Sequence, residues 1–121
     1  MDNAQRIAEH YIAVWNETDA DERSKLIAET FTDDTTYIDP LMAADGPSEL
    51  HALVGAVHQR FPGFRFALVG KPDGYGSRLR FSWKLGPADN DDMIKGTDFA
   101  VVEDGRLRSV DGFLDRIPAT A

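Results

Sequence analysis

The chain is expected to adopt an α+β fold, three helices in its first half and a mostly antiparallel sheet in its second. Apolar residues recur at helical spacing up to Phe61, and from Phe64 onward the period changes to two. Ile7, Tyr11, Val14 and Trp15 give a first helix over about 3–17, with two aromatics on its buried face. Asp19-Ala-Asp-Glu22 reads as a capping-box-like start of a shorter helix ending near Thr30. A strand then starts near Thr35 and stops at Asp39, because Pro40 bars Asp39 from helical geometry and has no N–H for a sheet ladder. Gly46-Pro47 opens a third helix whose stripe of Leu50, Leu53, Val54, Val57 and Phe61 is ended by Pro62-Gly63. Strands follow at Phe64–Val69, Arg78–Leu85, Met93–Glu103 and Arg106–Arg116. Lys71–Gly76 and Gly86–Asp92 connect them, and Asp104-Gly105 is a two-residue hairpin signal. Strong curvature of the sheet would let helices and sheet enclose a pocket, and without it an open two-layer sandwich results.

At 121 residues, 1–121 is expected to form a single domain, large enough to bury about two thirds of its unfolded surface. Twenty-one acidic against thirteen basic residues give a net charge of −8, which opposes binding to a phosphate backbone, so no nucleic-acid partner is expected. The absence of cysteine removes disulfides, thiol catalysis and thiolate metal sites, and is compatible with a cytoplasmic location. No apolar run resembles a signal peptide or approaches the roughly 20 residues of a membrane span. His10, His51 and His58 lack metal-ligand spacing, so no metal and no cofactor is expected.

Two places carry candidate chemistry. Asp39, at a strand end, either presents a carboxylate to an open site or accepts backbone hydrogen bonds at the turn. In the final hairpin a two-residue loop places Val102 opposite Leu107, Ala100 opposite Ser109 and Asp98 opposite Asp111. On a face shared with Ala100, Val102, Leu107 and Phe113, such a pair would be partly desolvated and tend to hold one proton, unless Arg80 on a neighbouring strand neutralises it. Phe99, Val101 and Val110 would then point outward as an apolar patch, which predicts a homodimer.

Four stretches in order carry a family resemblance: Tyr11-Ile-Ala-Val-Trp-Asn-Glu-Thr-Asp19, Phe31-Thr-Asp-Asp-Thr-Thr-Tyr-Ile-Asp39-Pro40, Gly46, and Gly96-Thr-Asp98-Phe-Ala-Val-Val-Glu-Asp-Gly105. Through them the whole chain resembles the SnoaL-like group of the nuclear transport factor 2-like superfamily, related to ketosteroid isomerase. The resemblance implies a cone-shaped fold and places Asp39 at that isomerase's proton-shuttling base, Tyr11 at its oxyanion-hole tyrosine and Asp98 at its oxyanion-hole acid. Such chemistry removes a proton next to a carbonyl and stabilises the enolate with hydrogen-bond donors, one of them a carboxylic acid kept neutral; ketosteroid isomerase is the standard example of this device. A likeness to limonene epoxide hydrolase stops at Arg80, which is followed two places on by Ser82 rather than an acid.

The expectation is therefore an internal pocket for a small, mostly apolar molecule bearing a carbonyl or hydroxyl. Isomerisation, cyclisation or dehydration would follow, with Asp39 as base, Tyr11 and Asp98 as donors and Asp111 modulating Asp98. Trp15, Tyr37, Phe66, Trp83 and Phe113 are candidate walls, with His58 and Arg80 as further ligand contacts. A non-catalytic ligand-binding or dimerisation module is the alternative.

Overall fold

The computed structural model describes residues 3–118. Helices α1 (Ala4–Asn16), α2 (Ala20–Thr30) and α3 (Gly46–Arg60) lie against one curved sheet of strands β1 (Phe31–Ile38), β2 (Ala43–Asp45), β3 (Arg65–Tyr75), β4 (Arg78–Gly86), β5 (Ile94–Glu103) and β6 (Arg106–Arg116). The strand order is β2-β1-β6-β5-β4-β3, antiparallel throughout except where β1 runs parallel to β6. The α+β expectation holds: three helices pack on one six-stranded, mostly antiparallel sheet. Among the described residues no helix is long and apolar enough to cross a membrane.

Local chemistry fixes the helix ends. The Asp19 carboxylate accepts from the Glu22 amide at 2.9 Å and starts α2, while Glu49 accepts from the Asp45 amide at 2.9 Å ahead of Pro47 in α3. At the far end of α1 the Asn16 side chain imitates a strand. Its Nδ2 donates to the Phe66 carbonyl at 2.9 Å and its Oδ1 accepts from the Phe66 amide at 2.8 Å, so α1 is tied to the sheet's edge strand β3. The core lies between the helices and the inner sheet face, with Tyr11, Trp15, Leu50 and Val54 packed against Phe31, Phe81, Ala100 and Leu107.

Three expectations change. Ala43–Asp45 adds a short strand, and β1 begins at Phe31 rather than near Thr35. The Lys71–Tyr75 stretch, expected as a connector, continues β3 past an irregularity between Val69 and Asp73, where Gly70 adopts a left-handed φ of 71°. The third change concerns the last hairpin. Its turn is the expected two-residue one, with Asp104 and Gly105 both at positive φ. A bulge between Val101 and Val102, however, shifts the register by one residue on β6. Asp98 therefore faces Gly112, and Asp111 faces Phe99 on the outer side of the sheet.

Candidate functional site

A cavity of about 470 Å³ opens between α1, the C-terminal half of α3 and the inner sheet face. Its walls are apolar: Trp15, Val57, Phe66, Trp83, Leu85 and Leu114 all line it. Polarity is concentrated at one pole, where β4 and β5 face α1. Asp98 is 1 % exposed, and its two oxygens accept separately, Oδ2 from the Tyr11 hydroxyl at 2.7 Å and Oδ1 from the Trp83 indole N–H at 3.1 Å.

The Asp98 pKa is raised to about 6: burial is the largest cause, the Tyr11 and Trp83 donors oppose it, and the negative charges of Asp39 and Asp115 add to it. The expected Asp111 is no contributor to the pole, because the bulge turns it to the outer face, where it is exposed. The largest cause of the raised value is desolvation rather than a directly opposed carboxylate. Tyr11 and Tyr37 are both held firmly in their neutral form, first by burial and then by the charge of Asp98.

Asp39 also lines the cavity, yet its oxygens are engaged. Oδ1 accepts from the Leu41 and Met42 amides at 2.8 and 2.9 Å, closing the turn after β1, and Oδ2 accepts from the Tyr37 hydroxyl at 2.6 Å. Both turn-capping and presentation to the cavity, the two roles open to Asp39 from sequence, thus meet in one carboxylate. The two tyrosine–carboxylate pairs are brought together by an absent side chain. A Cβ on Gly112 would lie 3.0 Å from Asp98 Oδ1, 3.2 Å from Asp39 Cβ and 3.6 Å from the Tyr37 hydroxyl. Across β5, a Cβ on Gly96 would overlap the Trp83 indole, so this glycine lets the ring lie across the strand toward Asp98.

Of the expected walls, Trp15, Tyr37, Phe66 and Trp83 line the cavity. Three other candidates lie elsewhere. Phe113, displaced by the same bulge, is 56 % exposed and packs edge-on against Phe99 on the outer face. Arg80 points outward and pairs with Asp73 at 3.0 Å, leaving Asp98 without a cationic neighbour from that strand. His58 sits behind the wall. Arg23 donates to its Nδ1 at 3.3 Å and, a guanidinium having no acceptor, this leaves Nε2 as the donor to the Trp15 carbonyl at 2.6 Å. His58 therefore locks the end of α1 onto α3.

Sequence reasoning missed the rim. Leu41 and Met42 after β1, Arg60 and Phe61 at the end of α3, and Ile117 and Pro118 after β6 all line the opening. The apolar Leu41-Met42 pair directly after Pro40 was the available signal.

Residues 8–110 match the SnoaL-like domain family. No curated protein matches the chain. Among solved structures, one provisionally named an isomerase of the SnoaL-like family, from Agrobacterium tumefaciens, is 43 % identical over 95 % of this chain and 99 % of its own, with a TM-score of 0.90. A protein from Kribbella flavida provisionally named a ketosteroid isomerase is 19 % identical over 95 % of this chain and 79 % of its own (TM-score 0.71), and one from Sinorhizobium meliloti provisionally named a polyketide cyclase is 17 % identical over 88 % and 93 % (TM-score 0.70). At those identities the last two share the fold. The match over residues 8–110, together with the 43 % identity, shows that the chain belongs to the SnoaL-like domain family.

Proposed function

We propose that the chain is an acid/base enzyme of isomerase, cyclase or dehydratase type, acting on a small, mostly apolar molecule that carries a carbonyl or hydroxyl. The observation that carries this reading is Asp98, a buried carboxyl at the polar pole of an apolar cavity, with a pKa of about 6. A group poised near neutrality can both take and return a proton. Tyr11 and Trp83 donate to it and so favour its carboxylate form, which supports Asp98 as the base rather than as a neutral donor. Asp39, held by two backbone amides and Tyr37, supports the pole from the other side and is a second candidate for the proton.

In such a reaction the Asp98 carboxylate would take the proton from the carbon next to the substrate carbonyl, the C–H electrons would move into an enolate, and the proton would return at the same or another carbon. The name of the Agrobacterium tumefaciens protein, an isomerase, is in keeping with this. A homodimer through the outer sheet face and a cytoplasmic location complete the reading. The exposed Phe99 and Phe113 support the dimer, and the cysteine-free sequence fits a reducing compartment.

A non-catalytic binding role is favoured by one feature, that the oxygens of both Asp98 and Asp39 already accept hydrogen bonds from the protein. Proton exchange separates the two readings. Incubated with 2-acetylnaphthalene in deuterium oxide, the wild type should speed deuterium incorporation at the methyl carbon, with a rate rising as pH passes about 6, and Asp98→Asn should abolish the acceleration. Exchange no faster than in buffer would assign the cavity to binding alone, and equal rates in wild type and variant would remove Asp98 from the chemistry.

A further inference from the structure

A base as deeply buried as Asp98, 1 % exposed, needs a path by which its proton reaches solvent. Its two hydrogen-bond partners differ in what they can pass on. The Trp83 indole N–H on Oδ1 donates and has no lone pair to accept with, so a path ends there. The Tyr11 hydroxyl on Oδ2, at 2.7 Å, can receive a proton on its oxygen while giving up its own.

Beyond Tyr11 stands the oxygen of Tyr37. The Tyr11 hydroxyl acts on it as a hydrogen-bond donor, favouring the ionisation that burial and the charges of Asp98 and Asp39 oppose. The bare backbone of Gly112 keeps the two ends close: Asp98 Oδ1 and the Tyr37 hydroxyl lie 3.0 and 3.6 Å from the place its Cβ would take. Tyr37 donates in turn to Asp39 Oδ2 at 2.6 Å. Asp39 is half-buried, and its other oxygen holds the amide of Leu41, which is 75 % exposed. The row of oxygens that begins in the core therefore ends at the cavity mouth. Both tyrosines are neutral, as groups must be that hand a proton on without keeping a charge.

We infer that Tyr11 and Tyr37 form a proton relay that connects Asp98 to Asp39 and, through Asp39, to solvent. The inference deepens the acid/base reading and rests on Asp98 as the group that holds the proton. Once protonated, Asp98 turns its O–H to the Tyr11 oxygen, and Tyr11 turns its own to Tyr37. The Asp98 O–H bond then breaks as one forms on Tyr11. The original Tyr11 O–H breaks as one forms on Tyr37, and the original Tyr37 O–H breaks as one forms on Asp39. Moving together, the three transfers carry one proton from Asp98 to Asp39 and leave no tyrosinate. Asp98 is again a carboxylate, and Asp39 yields its proton to water at the mouth. Asp98 is thereby reset while an apolar ligand fills the cavity and keeps water out. Tyr37 and Asp39 act through Asp98, without contact with the reacting carbon.

Exchange of the tyrosine hydroxyl protons with water, followed by NMR, tests this without ligand or turnover. Of the three tyrosines Tyr75 is 76 % exposed, so the slowly exchanging hydroxyl resonances belong to Tyr11 and Tyr37 and are assigned by their loss in Tyr11→Phe and Tyr37→Phe. Tyr37→Phe keeps the ring and cuts the relay. Asp39→Asn keeps an oxygen for the Leu41 and Met42 amides and puts an amide nitrogen where the proton has to be received. In each variant the Tyr11 hydroxyl proton should exchange about tenfold more slowly, the worth of one hydrogen bond taken from the path. A merely structural role gives the opposite sign, because loosened packing speeds exchange. A Tyr11 rate unchanged or faster in either folded variant overturns the relay. So does a Tyr11 proton that exchanges faster than that of Tyr37 in the wild type, since Tyr37 stands nearer the exit. Slowed exchange in the variants of a protein that puts no deuterium into 2-acetylnaphthalene keeps the relay and removes the catalysis. Deuterium incorporation without slowed hydroxyl exchange keeps the catalysis and removes the relay.

Discussion

Asp98 takes its carboxyl out of water and receives no cation in return, so its burial should be visible in stability. Its folded pKa of about 6 lies above the unassociated value of 3.8. The folded state then binds the proton more tightly than the unfolded state. No penalty exists below the unfolded value; it grows as pH rises between the two and is constant above about 6, on the order of 3 kcal/mol. The unfolding free energy of the wild type should accordingly fall, relative to that of Asp98→Asn, between about pH 4 and pH 7, as followed by urea titration; parallel pH profiles would show that the carboxyl ionises as freely folded as unfolded. Asp98 and Tyr11 were legible in the sequence as site residues, Asp98 from its place on an apolar strand face and both from the family resemblance. The bond between them was not, because helical and strand periods tell which face a residue occupies but not where its last atoms point.

Between neighbouring elements, single residues set the geometry of the site. Asn16 is the clearest case: its amide takes the place of a missing strand beside Phe66 and holds that cavity wall against α1. Asn16→Ala leaves the Phe66 amide and carbonyl without these partners and should cost about 2 kcal/mol, read from a lower urea midpoint at unchanged slope, with faster hydrogen exchange at the Phe66 amide. An unchanged midpoint would mean that water replaces Asn16 without loss. The helices were legible because their caps and breakers, Asp19, Gly46-Pro47 and Pro62-Gly63, act within a few residues. The β5–β6 register was legible only at its turn. Asp104-Gly105 sets Val102 opposite Leu107 as expected, but one residue added on β6 carries Val110 inward and Asp111 and Phe113 outward. A bulge depends on the twist required by the whole sheet, which no local signal announces. Strand β2 escaped for a related reason, since three residues are too few to show a period.

At the scale of the molecule the bulge also decides which residues the outer face offers. Val110 is buried, and the exposed apolar group there is Phe99 with Phe113, whose rings lie 5.7 Å apart. For a homodimer through this face, sedimentation at micromolar concentration should report about twice the 13.4 kDa chain mass, and Phe99→Glu should return the single-chain value. A wild type that sediments as one chain refutes the dimer. A last consequence comes from the pairing of β1 with β6. The Thr35 hydroxyl donates to the Leu107 carbonyl across 72 positions of chain, and Tyr11 reaches Asp98 across 87. Closing contacts so distant in sequence costs the freedom of the loops between them, which slows folding. During synthesis β1 must wait, with an open edge, until β6 has emerged from the ribosome. A small molecule that occupies the assembled cavity and not the unfolded chain therefore holds these distant segments together by mass action, stabilising the fold the more, the further its concentration exceeds its dissociation constant.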